Sequence, residues 1–178
     1  MPVGLILLVG PPASGKSSFA RAWVEHGQLD AAGVVSCDAI RGELFGARVD
    51  VGDDPAVFSE MDRRVAARLA ADLAVVVDAT NVTPSARTRM IAWARQHGRP
   101  VAALRFRVAD EVLVRRNSRR SGHARVPVDE GLRSATTAAR DATRGQLLTD
   151  GVDLVVDVPG ESDGHTPASA AATVLLGM

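Results

Sequence analysis

Lysine is almost absent from this chain: its 21 basic residues are 20 arginines and a single lysine, Lys16. The arginine excess follows genomic base composition. A lysine kept at one position then implies that arginine cannot serve there, because a compact ammonium fits inside a tight backbone loop and a planar guanidinium does not. One cysteine, Cys37, excludes an intrachain disulfide and suits a reducing compartment. Aromatic residues make up only 3% of the chain, which leaves few stacking platforms for a single strand of nucleic acid. A net charge of zero argues against a long electrostatic grip on a duplex, though not against a local basic patch. No stretch approaches the ~20 apolar residues a membrane helix needs. The apolar run 3–9 has no basic flank and enters a glycine-rich loop, so it reads as a buried strand rather than a signal peptide. A cytoplasmic location without membrane contact is the expectation.

What is present suits one α/β domain. At 178 residues, with 46% hydrophobic and 24% charged content, the chain is long enough to bury a sizeable core. Apolar runs at 4–9, 34–37, 74–77, 101–108 and 154–158 read as strands. Between them, helices are expected at 16–26, 39–45, 56–73, 84–97, 111–119 and 128–148. Thr83 and Pro84 mark a helix start and Gly98 a stop. Val57, Met61, Val65, Leu69 and Leu73 recur every fourth residue, giving the third helix one core-facing stripe. Alternating strands and helices predict a three-layer fold, a parallel five-stranded sheet with helices on both faces. The polar connection 46–54 and the stretch 119–126 have the composition of mobile loops, the second that of a lid. The domain is expected to span 1–158, with its lid at about 116–127. Residues 159–178 read as linker and tail, ending in either a docked helix or a frayed end.

Gly10-Pro-Pro-Ala-Ser-Gly-Lys-Ser17 satisfies G-x-x-x-x-G-K-[ST] between a predicted strand and a predicted helix. Glycines let backbone N–H groups curl round a β-phosphate, and the helix N-terminus adds the positive end of its dipole. Lys16 is placed to reach the β- and γ-phosphates, and the Ser17 hydroxyl to ligate Mg²⁺. Gly10, Ala13, Ser14, Gly15, Lys16, Ser17 and Ser18 are the expected ligands of ATP·Mg²⁺.

Two acids end the second and third strands, and so are expected at the same sheet edge as this loop. Asp38 is followed three residues later by Arg41 on one helical face. A carboxylate there can orient an attacking hydroxyl and take its proton, and Arg41 can grip an anion on the acceptor. The plainer alternative is that Asp38 caps the helix that follows. Asp78, in Val-Val-Val-Asp-Ala-Thr-Asn81, resembles the acid that ends a Walker B strand and is a candidate for the metal through a bound water. A turn-forming Asx residue is the alternative there, and Asn81 is available to backbone or acceptor.

Seven arginines lie between 105 and 125. Arg105 and Arg107 alternate on a strand and are expected only to face solvent. Arg115, Arg116, Arg119, Arg120 and Arg125 flank the lid, and an arginine closing on a transferring phosphoryl group is worth orders of magnitude in rate.

In this order and spacing, G-P-P-A-S-G-K-S, S-C-D-x-x-R, V-D-A-T-N, R-N-x-x-R and R-V-P resemble the 5′-kinase module of bacterial polynucleotide kinase-phosphatase, and more loosely its phage relatives. The resemblance covers roughly residues 1–150. It implies a P-loop kinase fold with an arginine-rich lid, ATP and Mg²⁺, and a 5′-hydroxyl nucleic-acid end as acceptor, in nucleic-acid repair. It further implies Asp38 as general base and Arg41 on the phosphate next to the acceptor hydroxyl. Arg116, Arg120 and Arg125 would supply the clamp on the donor phosphates. Two other readings stay open on the same residues: a kinase of a small-molecule or tRNA-linked hydroxyl, and a nucleotide-gated interaction module that would need no base at Asp38.

Overall fold

Five short, almost wholly apolar segments pair in parallel as one sheet in the order β2-β3-β1-β4-β5. The computed structural model describes residues 4–46, 55–120, 127 and 131–174. The strands are β1 (Leu5–Val9), β2 (Val34–Ser36), β3 (Val75–Asp78), β4 (Val101–Phe106) and β5 (Leu154–Val158). The helices are α1 (Lys16–Glu25), α2 (Cys37–Phe45), α3 (Pro55–Ala70), α4 (Pro84–Gln96), α5 (Asp110–Ser118), α6 (Arg133–Asp141), α7 (Arg144–Thr149) and α8 (Pro167–Ala171). Parallel strands need crossovers, and helices supply them on both faces, as the alternating pattern demands.

The central strand shows how the layers form. β1 is buried along its whole length, so its side chains feed two cores alternately. Leu5, Leu7 and Val9 meet Val57, Met61, Val65 and Leu69 of α3, Met90 and Ile91 of α4, and Leu147 of α7. Ile6 and Leu8 meet Phe19 and Trp23 of α1, Leu104 of β4, and Ala170 and Ala171 of α8. Phe19 stacks edge-on against Phe106, its ring centroid 5.4 Å away.

Four local expectations need correction. The α3 stripe stops one turn early, at Ala70, and Leu73 is 47% exposed. Asp72 takes a left-handed conformation at φ 61°. The N–H groups of Asp72 and Leu73 turn back to the carbonyls of Leu69 and Arg68, the paired bonds of a Schellman ending. The long helix expected at 128–148 is two helices. Ala142 breaks them at ψ 59°, and Thr143 starts α7 by accepting from the Gln146 N–H at 3.2 Å. The break drops Ala142 into the core. The third correction concerns Arg105, which does not merely face solvent: it grips Asp157 across the β4–β5 pair at 2.6 and 2.9 Å.

The last correction concerns the C-terminal stretch. Residues 159–174, expected as linker and tail, pack on the domain, and the docked helix is the form taken. Trp23 Nε1 donates to the Ala171 carbonyl at 3.0 Å, while Ala170, Ala171 and Val174 are buried. The expected mobile connection lies, beyond Gly46, outside the described residues. So do residues 121–126 of the expected lid, including Arg125.

Candidate functional site at the carboxyl edge of the sheet

The loop between β1 and α1 is shaped by its backbone. Gly15 sits at φ 101° as the residue before α1, and it offers no side chain to cap that helix. The first N–H groups of α1 therefore have no side-chain cap, which is the ready-made form of an anion site. Gly10 cannot carry a side chain without crowding: a Cβ there would lie 3.0 Å from the Ser14 hydroxyl and from Phe106.

Lys16 folds back into this loop. Its ammonium donates to the Gly10 carbonyl at 2.9 Å, the Pro11 carbonyl at 2.8 Å and the Ser14 hydroxyl at 3.3 Å. Three N–H donors meet three acceptors, a match a guanidinium fork cannot reproduce. Burial pushes the Lys16 pKa down from 10.5 to about 8; the Arg120 guanidinium adds to the fall, while the carboxylates of Asp78 and Asp38 oppose it. Those three residues thus lie within electrostatic reach of the lysine, Asp38 and Asp78 from the ends of the second and third strands and Arg120 from just beyond the end of α5. Ser17 and Ser18 are exposed at the start of α1, and Ala13 is buried at φ 66°.

Asp38 stands in the first turn of α2 and does not cap it. Ser36 does, accepting from the Ala39 N–H at 3.4 Å. That leaves the Asp38 carboxylate, 69% exposed, facing the edge and paired with Arg41 at 2.8 Å. Arg41 itself is half-buried. Asp78 lies opposite Ser36 in the β2–β3 register and is buried. Burial raises its pKa above the ordinary carboxylate value, opposed first by hydrogen bonding to the Ser17 hydroxyl and then by the Lys16 charge.

Asn81 turns to the backbone rather than to an acceptor. Its amide donates to the carbonyls of Leu8 at 2.9 Å and Val77 at 3.2 Å, tying the ends of β1 and β3 together. The Gly10 N–H donates to Thr80 at 3.0 Å and completes the tie. Behind it is a residue the sequence did not reveal. Arg87 is 1% exposed, donates to the carbonyls of Asn81 and Val82, and pairs with Asp150 at 2.5 Å. An arginine in an amphipathic helix carries no signal of this role, and its partner is 63 residues away.

The lid arginines divide. Among the described lid arginines, Arg120 is the one whose charge Lys16 feels. Arg116 lies on the outer side of the loop, donating to the carbonyls of Ser14 at 3.3 Å and Ala13 at 3.5 Å and pairing with Glu161 at 2.6 Å. Arg115 reaches the same carboxylate at 2.9 Å. Arg107 and Arg119 are exposed.

These residues fit a nucleoside triphosphate: an uncapped helix N-terminus, an inward ammonium, and glycines where a Cβ would crowd the loop. Among the described residues no group of three or more His, Cys, Asp or Glu could hold a metal alone. A cation here would rest on Ser17 and the phosphates, with Asp78 behind, the habit of Mg²⁺. Among the described residues no helix is long and apolar enough to cross a membrane.

Known structures share this architecture. Kti12 of Chaetomium thermophilum, solved with ADP-AlF3, superposes with a TM-score of 0.66 at 15% identity, over 95% of this chain and 96% of that one. A gluconokinase from Sinorhizobium meliloti 1021 gives 0.56 at 24% identity, over 96% and 91%. A chain of the Pnkp1/Rnl/Hen1 RNA repair complex gives 0.61 at 24%, over 79% of this chain but 45% of that one. At such identities the likeness is one of fold. Comparison with curated protein sequences gives no match. The family profile described as AAA domain matches residues 5–143, from the first strand through the phosphate loop to the start of α7. The chain therefore belongs to the AAA domain family and has the fold of the P-loop kinases.

Proposed function

We propose that this protein is an ATP-dependent phosphotransferase whose acceptor is the 5′-hydroxyl of a nucleic-acid end. The Asp38–Arg41 pair carries the reading, because it follows β2 at the sheet edge that also bears the phosphate loop, and the Asp38 carboxylate is within electrostatic reach of Lys16. In the proposed reaction Asp38 takes the proton of the acceptor hydroxyl as its oxygen attacks the γ-phosphorus. The bond from that phosphorus to the β,γ-bridging oxygen breaks, and ADP leaves. Lys16 and Arg120 stabilise the charge on the transferring group, joined by Arg125 of the lid, and Mg²⁺ would be held through Ser17 and Asp78. Arg41 serves the acceptor: a guanidinium one turn beyond the base suits the 3′-phosphate of the terminal nucleotide. Likeness to a chain of an RNA repair complex supports that acceptor.

A second reading is a kinase of a small-molecule hydroxyl, favoured by the fit to a gluconokinase over more than nine-tenths of both chains. γ-Labelled ATP offered with 5′-hydroxyl DNA and RNA oligonucleotides, nucleoside 3′-monophosphates, and sugars separates the two. Label on the oligonucleotides and 3′-monophosphates is the expected outcome. Label on the sugars alone would establish the second reading.

A further inference from the structure

The C-terminal segment reaches the phosphate loop, and this contact points to a function for a residue beyond the family match at 5–143. We propose that Glu161 is a positioning residue of the donor site, acting through Arg116. The inference rests on the reading that this loop holds a nucleoside triphosphate.

The chain of contacts is short. Glu161, in a single 3-10 turn at Glu161–Asp163, accepts from Arg116 at 2.6 Å and from Arg115 at 2.9 Å. The two guanidinium groups, Arg116 foremost, hold its carboxyl below the ordinary glutamate range. The other arm of the Arg116 fork donates to the carbonyls of Ser14 and Ala13. A peptide group is planar and trans, so its carbonyl and the following N–H point opposite ways. Holding the Ser14 carbonyl outward therefore turns the Gly15 N–H the opposite way, to where a phosphate would sit, while the Ser14 N–H donates to the Pro11 carbonyl at 3.3 Å within the loop. Glu161 fixes the guanidinium and the guanidinium fixes the loop. Pro167 stands on the same side of the loop: a Cβ on Gly15 would lie 2.4 Å from its Cγ. The turn itself is anchored, with the Asp163 carboxylate accepting from the Gly160 N–H at 2.9 Å and α8 buried on α1.

The alternative for the same contact is competition, in which the carboxylate draws Arg116 away from an incoming phosphate. The two predict opposite signs. Calorimetric titration with Mg·ATP and with Mg·tripolyphosphate, without any acceptor, reads them directly. Positioning predicts that Glu161→Ala weakens both ligands by about tenfold, the scale of one charge-assisted hydrogen bond, with Glu161→Gln intermediate. It predicts equal weakening for the two, since the effect runs through the loop and not through a nucleobase. On an Arg116→Met background, Glu161→Ala should add nothing. In turnover the loss should appear in KM for ATP, with kcat within about twofold. Unchanged or tighter binding by Glu161→Ala, or a full further loss on the Arg116→Met background, would overturn the proposal. Failure of the donor reading is separate, since the wild-type chain would then bind neither ligand.

Discussion

The most informative perturbation of the loop is a change of pH, because Lys16 is buried and carries a pKa of about 8. In the unfolded chain the same ammonium titrates near 10.5. Between those values the unfolded state binds more protons than the folded one, so this group's contribution to stability rises with pH across that window. The gap corresponds to about 3 kcal/mol, an upper scale for a lysine that is 7% exposed. Nucleotide affinity moves the other way. About nine-tenths of the folded molecules carry a charged Lys16 at pH 7 and about one-tenth at pH 9, so donor binding that needs the charge falls about tenfold over that interval. Calorimetric Kd values for Mg·ATP at pH 7, 8 and 9 measure this, with Lys16→Met as reference. That variant should bind weakly and without the same pH dependence. A flat wild-type profile from pH 7 to 9, or an affinity that rises with pH, would refute the burial argument.

Lys16→Arg should nearly abolish transfer, since a guanidinium cannot satisfy the three acceptors around the ammonium; near-normal turnover would contradict the steric account. Asp38→Asn should leave the Kd for ATP almost intact and lower kcat by about 10² or more, and steady-state kinetics beside a binding titration separate the two. Arg87→Met should cost about 3–5 kcal/mol in denaturant unfolding, because it strands the buried Asp150 carboxylate.

The strands and the site edge were legible for a physical reason. Strands buried on both faces read as continuous apolar runs, and an acid or a glycine-rich loop at the end of such a run must lie at the carboxyl edge. Asp38, Asp78 and Lys16 were placed that way. Helix ends were less legible where periodicity outran the helix: Leu73 falls on the stripe of α3 but lies beyond its Schellman ending, and only the left-handed Asp72 decides it. The break at Ala142 had no glycine or proline to announce it. Arg87 with Asp150, and Arg116 with Glu161, were invisible because a charged pair 63 or 45 residues apart has no local pattern.

Arg41 tests the acceptor assignment most directly. Its guanidinium pairs with Asp38, so its loss removes both a support for the base and the proposed grip on the acceptor phosphate. The measurement is phosphate transfer by Arg41→Ala to a nucleoside 3′-monophosphate and to the matching nucleoside, beside ATP hydrolysis without acceptor. The account predicts that transfer to the 3′-monophosphate falls by about 2–4 kcal/mol of transition-state stabilisation, well beyond the loss for the nucleoside, with hydrolysis barely changed. Equal losses for the two acceptors would reduce Arg41 to a support of Asp38. They would contradict the assignment of a nucleic-acid end as acceptor.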